Sequence, residues 1–134
     1  MPHKTLSFIW LVLFGMAAIF TSCKNDEDND PPVINLVNPV IHQHYINGVP
    51  IPWQGTVTDK SKITHVTLSI WTEDDSTNLL FNVEYFPNAT TFDVDTFHVV
   101  DDSEMTEYYF RITAEDEGGN FARNQAEDHV HINS

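Results

Sequence analysis

One cysteine in 134 residues leaves this chain unable to form an intramolecular disulfide. Basic residues are also scarce: 6 lysines and arginines stand against 20 aspartates and glutamates, a formal net charge of −14. Nucleic acid is thereby excluded as a partner, because binding it relies on lysine and arginine displacing counterions from phosphates. The same shortage disfavours direct adsorption to anionic lipid headgroups. No apolar run reaches the roughly 20 residues that a membrane-spanning helix needs, and the longest, Leu6 to Phe20, stops short. No segment keeps a sustained helical period. No serine or cysteine sits in a recognisable nucleophile signature. The acids are numerous enough for a glycosidase-like pair, but such a pair needs a cleft that so small a domain rarely encloses. The chain is therefore read as not an enzyme, with a glycan-active enzyme as the remotest alternative.

What the chain does have begins at its start. His3 and Lys4 make a short positive region, Leu6 to Phe20 is almost wholly apolar, and Thr21 and Ser22 are small and polar. This is the pattern of a secretory signal peptide, read as residues 1–22. Phe20-Thr21-Ser22-Cys23 resembles the lipobox of bacterial lipoproteins, which implies that Cys23 is acylated and becomes the first residue of the mature chain. A solitary cysteine placed there agrees with that use. The following Lys24-Asn25-Asp26-Glu27-Asp28 resembles the export tag of Bacteroidota surface lipoproteins, and residues 23–30 also read as an acidic disordered tether, since like charges repel one another into extension. The expected address is the outer membrane, held by the N-terminal lipid and facing outward. Cleavage removes Lys4 and no acid, so the mature charge is about −15, a field that attracts cations and basic partners.

Residues 31–134, about 100, make one domain with one core. Thr64, Val66, Leu68 and Ile70 alternate with polar neighbours, as do Tyr108, Phe110, Ile112 and Ala114, and Ile51, Trp53, Gly55 and Val57 read similarly. Leu79 to Phe86 and Phe92 to Val100 are further strand candidates, the latter with an apolar parity shift between Val94 and Phe97 that predicts a bulge or a change of sheet. Asn47-Gly48 suits a type I′ hairpin, Glu73 to Asn78 a polar loop, Pro87-Asn88 a break, and Gly118-Gly119-Asn120 another turn. About seven half-buried strands predict an all-β fold, an antiparallel sandwich with a small barrel as the alternative.

Tyr109-Phe110-Arg111-Ile112-Thr113-Ala114-Glu115-Asp116-Glu117-Gly118-Gly119-Asn120 resembles the late strand and turn of bacterial immunoglobulin-like and cadherin-like domains: an aromatic strand, Ala-x-Asp, then Gly-Asn. Asp30-Pro31-Pro32-Val33-Ile34 and a turn at Val57-Thr58-Asp59 fit the same group, which covers both ends and one inner turn of the domain. The whole resembles uncharacterised single-domain lipoproteins of the Bacteroidota. The resemblance implies an immunoglobulin-like β-sandwich and a role in adhesion, spacing or carbohydrate systems. It also implies a pole where the entry at Asp28 to Asp30, the turn at Asp59 and the turn at Asp116 to Asn120 gather, with Asp30, Asp59, Asp116 and Asn120 as calcium ligands, since calcium takes six to eight oxygens drawn from separate loops. The chain departs from that pattern in carrying Glu117 where a second aspartate is usual. The same residues also suit a tight turn shaped by Asp116 and Asn120, with Gly118 and Gly119 supplying positive φ.

His42-x-His44 and His129-x-His131 each place two imidazoles on one strand face, a pattern able to grip zinc if a third ligand approaches, and otherwise simply a wet face. Trp53 and Trp71 are the candidate platforms for stacking a sugar ring, against the alternative that they pack in the core. The sequence thus points to a non-enzymatic, lipid-anchored binding or structural module contacting glycan or another envelope protein. It calls for no cofactor, and a calcium-binding adhesion-type domain is the first alternative.

Overall fold

Alternating burial is the rule on which the chain folds. A computed structural model describes residues 27–72, 79–101, 107–124 and 129–133. The expectations for the signal peptide, for Cys23 and for the loop at Glu73 to Asn78 fall outside the described residues. Among the described residues there are eight strands and no helix: β1 (Val33–Asn38), β2 (His44–Ile46), β3 (Pro50–Thr72), β4 (Phe81–Tyr85), β5 (Ala89–Val99), β6 (Glu107–Asp116), β7 (Phe121–Arg123) and β8 (His129–Asn133). None of the described residues belongs to a helix long and apolar enough to cross a membrane.

The all-β expectation holds, and one strand organises it. β3 runs for 23 residues. Its first half lies between β1 and β5, with Pro50 opposite Val99 and Val33 opposite Thr58, and its second half lies between β4 and β6, with Val66 opposite both Tyr85 and Ala114. Register slips between Thr58 and Ile63 on the β5 side and between Ile63 and His65 on the β6 side, so the strand changes partners around Asp59 to Lys62. Such irregularities bend a strand and raise its twist, and the sheet curls over on itself. Trp53, from the first half of β3, accordingly packs edge-on against Phe110 of β6 at 5.0 Å between ring centroids and against Phe81 of β4 at 6.0 Å. Ile51, Val57, Ile63, Val66 and Ile70 are completely buried around it, each contributing about 1.5–3 kcal/mol by leaving water.

Several local expectations are corrected. Val57, Thr58 and Asp59 are continuous strand within β3, not a turn. The parity shift in β5 does not exist: pairing with β3 runs unbroken from Val99 to Thr91, Phe97 points outward and is exposed, and His98 takes the inward position against Phe81 and Phe110. Asn47-Gly48 is not a type I′ hairpin, which needs both central residues at positive φ, since here only Gly48 has it, at 73°. β2 instead pairs in parallel with β8, His44 opposite His131 and Ile46 opposite Asn133, so the sheet is mixed and not purely antiparallel. The turn at Gly118 and Gly119 is where it was expected, joining β6 to β7, but only Gly119 takes the expected positive φ, at 81°, and Gly118 does not.

Beyond β7 the ladder is continued by a side chain. Asn124 Oδ1 accepts from the Ile112 N–H at 2.6 Å, and its Nδ2 donates to the Phe110 carbonyl at 2.9 Å. A buried amide thus satisfies backbone groups of β6 that no strand residue among the described ones pairs on that side.

Candidate cation site at the acidic pole

The place where β3 changes partners faces the C-terminal end of β6. Asp59 stands at that change, Asp116 ends β6, and Asp28 arrives on the segment leading to β1. One carboxylate oxygen from each of Asp28, Asp59 and Asp116 lies within 4.8 Å of the other two. At that separation two unit charges repel by about 3–4 kcal/mol for an effective dielectric of about 20. The donors available decide whether the chain alone offsets this.

For two of the acids, donors are present. Asp59 Oδ1 accepts from the Ser61 N–H at 2.7 Å and the Ser61 hydroxyl at 2.8 Å. Asp116 Oδ1 accepts from the Asn120 N–H and its Oδ2 from the Asn120 amide, both at 2.8 Å. Burial pushes the Asp116 carboxyl up, but donors from Asn120, the Gly118 backbone and Ser61 outweigh that and hold it below its usual value. Asp28 differs. Its Oδ1 accepts from the Asp30 N–H at 3.1 Å, while Oδ2 is buried with no hydrogen-bond partner. A buried acceptor without a donor costs about 1–3 kcal/mol, more when charged.

Gly118 lets this assembly close. A methyl group there would sit 3.1 Å from the Asp28 carbonyl oxygen and 3.2 Å from Asp116 Oδ1, tighter than ordinary contact. Asn120 completes the seam, its Nδ2 donating to the Asp28 carbonyl at 2.8 Å across 92 residues of sequence. A shallow groove of about 610 Å³ opens beside it, lined by Asp28, Asp30, Lys60, Ser61 and Glu117 among others.

Of the four ligands expected from the sequence, Asp59, Asp116 and Asn120 are brought together, Asn120 with its N–H groups toward the acids. Asp30 is not among them. It is exposed and paired with the Lys60 ammonium, and Asp28 takes its place. The reason is local: the Asp28 side chain caps the Asp30 N–H in an Asx turn, and the Asp30 side chain is left outward. Acid identity was readable from sequence, whereas this turn was the signal that would have chosen Asp28.

The stacking platforms are corrected outright. Trp53 is 0% exposed in the core, and Trp71 is 7% exposed, stacked on Tyr109 at 5.5 Å with the Arg111 guanidinium 4.2 Å from its ring centre. Neither offers a face to a sugar.

No family model matches the chain, and no curated protein matches it. Among solved structures it is similar to the superoxide reductase (neelaredoxin) from Ignicoccus hospitalis, at 14% identity over 78% of this chain and 81% of that one, with a TM-score of 0.44.

Proposed function

We propose that the chain is a non-enzymatic, lipid-anchored module of the bacterial envelope, immunoglobulin-like in fold, whose anchor-proximal pole binds a divalent cation of the calcium class. The observation that carries this reading is the buried, unpartnered Oδ2 of Asp28 beside the carboxylates of Asp59 and Asp116. Oxygen-only donors of high charge suit calcium, with water supplying the remainder of its six to eight ligands. Asp28 belongs to the acidic tether that follows Cys23, so a bound ion fastens the tether to the domain and sets the angle at which the domain stands from the lipid. The curled sheet with its two facing halves supports the sandwich reading, and the burial of Trp53 and Trp71 favours an envelope protein over a glycan as partner.

Calorimetric titration of the full chain in detergent with calcium tests this. Saturable binding is expected with a Kd of about 10⁻⁴–10⁻³ M, the range of extracellular calcium modules. At a hundredfold excess over Kd the folded state gains about 2.7 kcal/mol, seen as a higher melting midpoint that a chelator reverses. Asp116→Asn should abolish the shift. An unchanged midpoint at about 100 mM calcium, a hundredfold above the weaker Kd, would refute the ion reading.

A further inference from the structure

The histidine pairs come from distant parts of the chain, and the parallel pairing of β2 with β8 joins them. The His42 N–H donates to the His129 carbonyl at 2.8 Å and the His131 N–H to the Gln43 carbonyl at 3.0 Å, which fixes the turn before β2 against β8. His129 and His131 lie two apart in β8 and share a face. On the neighbouring strand β6, Glu107 stands opposite His131.

The result is a compact donor set. One ring nitrogen from each of His42, His129 and His131 lies within 4.8 Å of the other two. His42 Nδ1 is 3.3 Å from His129 Nε2. Glu107 Oε1 is 3.7 Å from His129 Nε2 and 3.6 Å from His131 Nδ1. A tetrahedral zinc ion, with bonds of about 2.0–2.1 Å, holds its ligand atoms about 3.3–3.4 Å apart, so the contacts at 3.3, 3.6 and 3.7 Å need only a few tenths of an ångström to close, and the other histidine separations start from within 4.8 Å. His42 is exposed and yet holds a φ of 61°. That left-handed backbone belongs to the third residue of a turn closed by the Gln43 N–H on the Val40 carbonyl at 3.2 Å, which sets His42 beside β8.

We propose that His42, His129, His131 and Glu107 form a binding site for a divalent transition-metal ion of the zinc class. Three imidazoles and one carboxylate fill four positions, the arrangement of a closed structural site. Nitrogen donors select zinc or copper over calcium, so this site and the acidic pole take different ions. They are also far apart, because Glu107 and Asp116 are the two ends of the ten-residue β6, roughly 30 Å at about 3.3 Å per residue. His44 stacks on His131 at 4.9 Å and meets Asn133 Oδ1 through Nδ1 at 3.1 Å, which props the ligand ring from behind. The consequence is a staple. β8 meets β6 in the pairs Glu107–His131, Tyr108–Val130 and Tyr109–His129, and β2 has only three residues. A metal bridging the turn, β8 and β6 ties the last strand to the sheet.

Zinc titration of the full chain, prepared in detergent without a polyhistidine tag and in competition with a chromophoric chelator, tests the proposal. Expected are one equivalent of bound zinc, a melting midpoint that rises with zinc, and the intense visible absorption of a tetrahedral site on cobalt substitution. His131→Gln and His42→Asn should each weaken binding by more than about tenfold, the latter keeping a residue that tolerates positive φ, with metal-free melting midpoints unchanged. Asp116→Asn should leave zinc binding intact. Absence of saturable binding, binding that survives both histidine substitutions, or binding lost with Asp116→Asn would overturn it.

Discussion

Asp116 and His98 respond to acid in different pH windows. Burial lowers the His98 pKa below its usual 6.5. The unfolded chain therefore takes up a proton as pH falls below about 6.5 while the folded chain does not, and stability drops until pH passes the lowered folded value. The Asp116 pKa is also lowered, through its donors from Asn120, Gly118 and Ser61 against the opposing effect of burial. Its contribution is present above the unfolded value of about 3.9 and is lost as pH falls through the folded one. A melting-midpoint profile should thus fall in two stages, and His98→Phe should remove the upper stage while Asp116→Asn removes the lower. A single fall near pH 4 in the unsubstituted chain would contradict the His98 assignment. Individual residues were unequally legible. Asp116 and Asn120 could be chosen from sequence because the chemistry of the turn after β6 is local, whereas Asp59 was expected in a turn and stands instead where β3 changes partners. Choosing Asp28 over Asp30 needed the Asx turn, and the burial of Trp71 needed its cover by Tyr109 and Arg111, which lie across the sheet.

β6 and the second half of β3 were read correctly in face, because Val66, Leu68 and Ile70, like Phe110 and Ile112, turn inward against one core, whereas β3 was expected as two strands parted by a turn at Val57-Thr58-Asp59 and is one strand of 23 residues. β5 misled because bulk and direction part company there: Phe97 is large and faces out, whereas polar His98 faces in. The pairing of β2 with β8 was not legible, since it depends on chain ends more than eighty residues apart meeting in parallel, and nothing near Asn47-Gly48 announces it. Asn124 shows how a short strand is finished without more strand. Asn124→Ala would strand the Ile112 N–H and the Phe110 carbonyl. Each unmet buried group costs about 1–3 kcal/mol, so a loss of about 2–6 kcal/mol is expected in denaturant unfolding, and a loss below 1 kcal/mol would mean that water replaces the amide. Gly118→Ala should act differently, leaving the strands intact while crowding Asp28 and Asp116, and so weakening calcium binding more than it lowers the metal-free midpoint.

With a formal net charge of −14, the molecule repels itself, and any salt relieves part of that by screening. The calcium reading therefore demands more than a general salt response. At matched ionic strength, calcium should raise the melting midpoint well beyond sodium, and equal effects would assign the gain to screening alone. The anchor and the pole form one proposed device: Cys23 fixes the lipid, the acids after it carry the chain to Asp28, and an ion at Asp28, Asp59 and Asp116 makes that joint rigid. The most direct measurement is a crystal structure grown in calcium, with anomalous scattering to locate the ion. A peak within 2.3–2.6 Å of Asp28 Oδ2 and of oxygens from Asp59 and Asp116 is predicted, with Asp30 still turned toward Lys60. Asp28 Oδ2 satisfied by a protein donor or a water, with no ion among the three carboxylates, would contradict it.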